Sequence, residues 1–255
     1  MTPAYEREGV RLYCADCRAV LPVECDAVLT DPPYGIDGAS GTINRARNKG
    51  GYGGDWQDNA DYVGECAAVI RQLIETCGAV VLTPGSKNMM RYPQPDSFGC
   101  FYQPASVGLQ SFGNMDSQPI FYYGRNLTGK NMGKKCSFTL TEAPEKNGHP
   151  CVKPLQAWKV LLCQFTNEGD TVLDPFCGSG TTLIAALETG RKAVGIEIDE
   201  RWVTVARQRL ERWHAQGRLD FGTANKEISR PGHHRETKDG RTDEHAATEK
   251  EGGGK

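Results

Sequence analysis

The stretch from Thr171 to Thr182 restricts this chain more than any other. An apolar strand, Thr171-Val172-Leu173, runs into Asp174-Pro175-Phe176-Cys177-Gly178-Ser179-Gly180, and a helical pattern follows from about Thr181 to Thr189. Glycines in such a turn let the backbone approach a ligand with no side chain between them. Strands that feed helices in this way build a parallel sheet covered on both faces. The rest of the chain repeats the theme. Val10 to Tyr13, Ala27 to Thr30, Ala79 to Thr83 and Ala193 to Ile198 are apolar runs that read as strands. Helical spacing links Val63, Cys66, Ala67, Ile70, Leu73 and Ile74, with Gly78 as a stop, and again Leu155, Trp158, Leu161, Leu162 and Phe165. A last helix is expected after Asp199 as its cap, with Trp202, Val205, Ala206, Leu210 and Trp213 on its apolar face. The predicted class is α/β, a mainly parallel sheet with helices on both faces.

With 255 residues, 38% hydrophobic and 24% charged, the chain suits one globular domain, or one domain with a small insertion. No apolar run has the length to cross a bilayer, and Met1 to Glu8 holds no signal core, so a cytoplasmic protein without a membrane partner is expected. Cys14 and Cys17 are spaced like metal ligands, but no second such pair completes a zinc site, and no metal is expected. The ten cysteines read as reduced thiols. A net charge of −2 gives no overall attraction to phosphate, so nucleic-acid contact would need a local basic patch.

Two segments interrupt the strand–helix rhythm. Gly35 to Asp55 holds seven glycines and few large apolar residues, and reads as a mobile loop. Pro84 to Gly148 reads as irregular, and its aromatics include Phe98, Phe101, Tyr102, Phe121, Tyr122, Tyr123 and Phe138. Its cations (Lys87, Arg91, Arg125, Lys130, Lys134, Lys135, Lys146) outnumber its carboxylates (Asp96, Asp116, Glu142, Glu145), which supplies the local positive charge. From Asn225 onward the chain is polar and charge-balanced and reads as a disordered tail.

The candidate chemistry lies at strand ends. Glu197 closes the strand after the glycine turn, where a carboxylate can accept from two ribose hydroxyls. A dinucleotide would suit the same frame, but the G-x-G-x-x-G pattern fails because position 183 is Leu. Asp31-Pro32-Pro33-Tyr34, at the end of another strand, presents a carboxylate, a backbone carbonyl fixed by two prolines and an aromatic ring.

Asp174 to Thr182 and Asp31 to Tyr34, in this order, resemble the DNA amino-methyltransferase family, in its beta-group motif order. Leu12-Tyr13-Cys14-Ala15-Asp16-Cys17 is similar to the family's strand ending in Gly-Asp-Cys, with Ala15 where glycine is usual. His149-Pro150-Cys151-Val152-Lys153-Pro154 is similar to its His-Pro-x-x-Lys-Pro segment. The resemblance implies a Rossmann-like fold using S-adenosyl-L-methionine. Asp16, Lys153, Asp174, Phe176, Gly178, Gly180, Thr181 and Glu197 would surround the cofactor. Asp16 would meet its adenine amine and Glu197 its ribose. Asp31, Pro32, Pro33 and Tyr34 would be catalytic: Asp31 and the Pro32 carbonyl hold the hydrogens of a base amine, and Tyr34 stacks on a base extruded from double-stranded DNA.

On this reading residues 1–84 form the N-terminal half of the catalytic domain, 85–148 a target-recognition insertion, 149–224 the C-terminal half and 225–255 the tail. Asp at the first tetrapeptide position leans towards the N6 amine of adenine, with N4 of cytosine as the alternative. An RNA or protein-glutamine substrate, or a catalytically dead DNA-binding module, are further alternatives. Homodimerisation and a cognate restriction endonuclease are further partners the resemblance allows. C5-cytosine transfer would need a cysteine nucleophile, and Cys151 falls inside the His-Pro-x-x-Lys-Pro segment.

Overall fold

The computed structural model describes residues 1–35, 60–103, 108–110, 113–129, 135–140 and 153–216. All of them fall in one compact unit, Met1–Gly217. The glycine-rich stretch from Ile36 to Asp55, His149 to Val152 and the tail after Asn225 lie outside the described residues.

The elements in chain order are β1 (Tyr5–Arg7), β2 (Val10–Cys14), α1 (Cys17–Val20), β3 (Ala27–Thr30), α2 (Ala60–Thr76), β4 (Ala79–Leu82), a 3-10 turn (Met89–Arg91) and β5 (Ser97–Tyr102). There follow β6 (Gly108–Gln110), β7 (Gly113–Met115), β8 (Ser117–Gly124), β9 (Phe138–Thr139), α3 (Leu155–Phe165), β10 (Thr171–Asp174), α4 (Thr181–Glu188), β11 (Lys192–Glu197) and α5 (Glu200–Ala215). Nine strands form one sheet in the order β1-β2-β11-β10-β3-β4-β8-β5-β9, and β6 pairs with β7 separately. The five strands from β2 to β4 are parallel, whereas β1 and β8 pair antiparallel with their neighbours.

The central strands bury both faces, which explains their unbroken apolar runs. Val28, Val80, Leu173 and Ile196 pack with Ala67, Ile70 and Leu73 of α2. On the opposite face Ala27, Leu29, Val81 and Val172 meet Trp158, Leu161, Leu162 and Phe165 of α3. Val10, Leu12 and Ala193 continue that face against α4 and α5. Asp199 caps α5 by accepting from Arg201 N at 2.9 Å, as expected. The buried face of α5 differs from the expected one. Val203 and Arg209 are buried, while Val205 and Trp213 are only half-buried.

Among the described residues of 85–148, β5, β8 and β9 extend the sheet beyond β4. Its aromatics are largely core. Tyr92, Phe101, Phe121 and Tyr123 are buried, whereas Phe98 (74%) and Tyr102 (44%) remain exposed. Glycine and proline hid these strands. A Cβ at Gly99 would sit 1.7 Å from the Cys136 carbonyl oxygen, so glycine there answers a close backbone approach. Pro119 faces Cys100 of β5 but lies beyond the part of β8 paired with β4, Phe121–Gly124, so its missing N–H costs that pairing nothing.

Candidate active site

Because β3, β10 and β11 are parallel neighbours, their C-terminal ends open on the same edge of the sheet. Ligand clefts of doubly wound sheets lie at that edge. Asp31 follows β3, Asp174 ends β10 and Glu197 ends β11. These residues line one solvent-open cleft of about 880 Å³, together with Pro32, Pro33, Tyr34, Lys153, Phe176, Gly178 and Thr181.

Asp174 is the hub of the floor. Its Oδ1 accepts from Thr30 Oγ1 at 2.6 Å and from Phe176 N at 3.1 Å, and its Oδ2 accepts from Thr182 Oγ1 at 2.5 Å. Thr182 Oγ1 in turn accepts from Trp158 Nε1 at 3.0 Å. One buried carboxylate thus ties the strand end that carries Asp31 to the glycine turn and to α3. Burial raises its pKa to about 6, against the pull of these hydrogen bonds.

Glu197 is 8% exposed; it accepts from Gly178 N at 2.9 Å and Asp199 N at 2.8 Å. Burial raises its pKa to about 7 from 4.5, and the same backbone N–H groups oppose that rise. A carboxyl whose folded pKa is raised contributes stability that is complete below the unfolded value and lost as pH rises through the folded one. The unliganded wild type is therefore expected to lose up to about 3 kcal/mol between pH 4.5 and 7 relative to Glu197→Gln. Urea titrations of both proteins across that range measure the difference; a gap that does not change with pH overturns the expectation.

Asp31 sits among donors. Its Oδ1 accepts from the hydroxyls of Tyr34 and Thr83, and its Oδ2 lies 2.6 Å from Lys153 Nζ. Lys153 Nζ also donates to Tyr34 Oη at 2.6 Å, and the Gln118 amide donates to the same oxygen. At 5.0 Å from the ring centroid, the ammonium stands off the hydroxyl end of Tyr34 rather than above the ring. Asn88 Nδ2 holds the Tyr34 carbonyl at 2.5 Å. Gly85, at φ +67°, backs the ring: a Cβ there would lie 2.7 Å from Cδ1 and 3.1 Å from both Cγ and Cε1, which places it over a ring face.

Two expected cofactor residues do not line the cleft. Asp16 lies between Ala15 and Cys17, which do line it, but its carboxylate caps α1 through Arg18 N at 2.9 Å and pairs with the Arg18 guanidinium. Arg18 holds the Asp16 carboxyl below its usual range. Gly180 faces α5: its φ of +81° and the 3.0 Å from a built Cβ to Ala206 Cβ make it a packing glycine at the start of α4. Sequence reasoning missed Thr83, Gly85, Asn88 and Gln118 around the tetrapeptide. It also missed Arg209, whose buried guanidinium donates to Ser179 O at 2.5 Å beneath the glycine turn. Thr83 and Gly85 follow β4, the neighbour of β3, so strand adjacency was the available signal; Gln118 had none. Among the described residues no group of three His, Cys, Asp or Glu could hold a metal ion.

The DNA methylase family model for N6 and N4 methyltransferases matches residues 113–208, from β7 through the glycine turn and Glu197 into α5. The type II methyltransferase M2.LlaDCHI of Lactococcus lactis subsp. cremoris is 24% identical over 258 residues, covering 84% of this chain and 94% of that protein. The chain is thus similar to DNA amino-methyltransferases, over residues 113–208 by the family model and over most of its length by M2.LlaDCHI. Solved structures of DNA methyltransferases share its fold. M1.HpyAVI in its SAM complex superposes with a TM-score of 0.60 at 20% identity, covering 79% of this chain and 98% of that one. The cytosine-N4-specific PvuII DNA methyltransferase gives 0.61 at 15% identity, covering 82% and 88%. The family-model match stops short of Asp31–Tyr34, which the sheet brings to the matched residues through Thr30 and Asp174.

Proposed function

We propose that this protein transfers a methyl group from S-adenosyl-L-methionine to the exocyclic N6 amine of an adenine flipped out of duplex DNA. The observation that carries this reading is the charge of the cleft. Its described lining holds three carboxyls, Asp31, Asp174 and Glu197, and one cation, Lys153, which is engaged with Asp31. A pyrophosphate would meet only a cation that Asp31 already engages, whereas a cationic sulfonium would meet carboxyl groups. The bound cofactor supplies an electrophilic methyl group, so no metal is needed.

The protein's own groups bind and orient. Glu197 accepts from ribose hydroxyls; Gly178 lets the cofactor approach the backbone, and Phe176 lies at the floor of the cleft beside Asp174. Asp31 and the Pro32 carbonyl accept the hydrogens of the base amine. That turns the nitrogen lone pair, otherwise delocalised into the ring, towards the methyl group. Tyr34, backed by Gly85, presents its other face to the extruded base. Lys87 and Arg91 are exposed beside the tetrapeptide, with Lys87 Nζ 3.5 Å from Gly35 O and Arg91 Nε 3.1 Å from Asn88 Oδ1, a position suited to phosphate contacts. The part of 85–148 left for target recognition is the β6–β7 hairpin and its flanks. Cytosine N4 is the second reading, favoured by the shared fold of the PvuII enzyme.

Incubation with S-adenosylmethionine and unmethylated DNA of varied sequence, followed by mass spectrometry of the nucleosides, tests the proposal. N6-methyldeoxyadenosine is expected. N4-methyldeoxycytidine would overturn the base assignment, and no methylated nucleoside from protein that binds the cofactor would overturn the reaction. Gly85→Ala is expected to displace the Tyr34 ring and lower turnover about 10²-fold, since a misplacement of an ångström at a reacting centre has that effect. Cofactor affinity should stay within about twofold; unchanged turnover would show that the Tyr34 ring does not need its glycine backing.

A further inference from the structure

Among the described residues Lys153 bonds to the tetrapeptide and not to the glycine turn or Glu197. Its ammonium is 2.6 Å from Asp31 Oδ2 and 2.6 Å from Tyr34 Oη, so it touches both functional side chains of the tetrapeptide. The pair is largely withdrawn from water, with 11% of the Lys153 side chain and 18% of the Asp31 side chain exposed. A shielded ion pair is weak evidence for stability, because desolvating both charges offsets most of their attraction. Its position at the mouth of the reaction site points to function instead.

A carboxylate offers about four acceptor directions. Among the described residues, Tyr34 and Thr83 take two at Asp31 Oδ1 and Lys153 takes one at Oδ2, which leaves one direction on Oδ2 for a base amine. We infer that Lys153 is a positioning residue for methyl transfer: its ammonium orients the Asp31 carboxylate and anchors the Tyr34 hydroxyl, so that acceptor and stacking ring are set before the base enters. The backbone supports this role. Pro154 follows directly at φ −60° and leads into α3, whose Trp158 is fixed by Thr182, so the lysine projects from a braced helix start. This inference rests on the methyltransferase reading, but its test has a readout that needs no activity.

Acylation of lysines with an amine-reactive ester, read peptide by peptide in the mass spectrometer, reports the Lys153–Asp31 bond directly. Labelling of Lys153 should rise at least severalfold in Asp31→Asn, while Lys159, paired with Glu188 at 2.8 Å, stays unchanged as the internal control. Equal labelling of Lys153 in both proteins overturns the inference whether or not the protein methylates DNA. In the active enzyme, Lys153→Met should lower kcat by about 10- to 100-fold with the dissociation constant of S-adenosylmethionine within about twofold, and Lys153→Arg should restore part of the loss. Combined with Asp31→Asn, Lys153→Met should add little further loss, because both changes break one arrangement. A tenfold weaker cofactor affinity at unchanged saturated kcat would place Lys153 in cofactor binding and overturn the positioning role. Absence of methylation by the wild type alone would defeat the reaction assignment and leave the labelling result to decide the bond.

Discussion

Asp31→Ala is expected to slow methyl transfer by about 10²–10³-fold while the affinity for S-adenosylmethionine stays within about threefold. The asymmetry follows from where its bonds go. Asp31 receives Tyr34, Thr83 and Lys153, and none of its described bonds reaches the glycine turn or Glu197. Removing the carboxylate deletes one of the two acceptors proposed for the amine and releases Lys153 and Tyr34 from their set positions. Asp31→Asn serves as the control for folding, since it keeps the shape and one acceptor oxygen. Single-turnover rates with saturating cofactor, beside calorimetric cofactor titrations, measure both quantities. Transfer and cofactor binding lost in parallel would show that the cleft does not divide its work in this way.

Asp174→Ala should behave differently, with stability, cofactor binding and turnover falling together. The carboxylate is 3% exposed and is the common acceptor for Thr30, Phe176 N and Thr182. Its loss strands these donors in a buried place, at about 1–3 kcal/mol for each one left unpaired. Rotation of the two hydroxyls recovers some of that, so a net loss of about 3–5 kcal/mol is expected, or on the order of 10 °C in Tm for a domain of this size. Asp174→Asn keeps an acceptor and should lose less than half as much. Thermal melts by circular dichroism decide it; a wild-type Tm for Asp174→Ala would mean that the hub carries no weight in the fold.

The sequence made the parallel half of the sheet legible for a physical reason. Strands buried on both faces, such as Ala27–Thr30 and Thr171–Asp174, are continuous apolar runs, and function collects where they end. Asp31, Asp174 and Glu197 could each be placed because each ends or follows such a run. The antiparallel extension was not legible. β5 and β8 contain Gly99 and Pro119, residues that argue for turns unless the approach of Cys136 and the short overlap with β4 are known. Gln118 reaches Tyr34 only because β8 runs beside β4. The expected role of Asp16 rests on its segment; its carboxylate caps α1 by accepting from Arg18 N and pairs with the Arg18 guanidinium.

The strand order also governs how such a chain can come into being. β2 and β3 are made early, yet they are not neighbours; β11, which pairs with β2, and β10, which pairs with β3, lie between them. During synthesis β2 and β3 therefore each wait, with one edge open, for residues more than a hundred positions downstream. Long-range pairing of this kind slows folding and leaves edges exposed meanwhile. A chain stopped before Thr171 should be digested by a dilute protease under conditions in which the full chain resists, and a resistant N-terminal fragment would contradict this. The acceptor at Asp31 and the carboxyl at Glu197 thus arise in one late event, so an interrupted ribosome releases a substrate for proteolysis rather than a half-assembled enzyme.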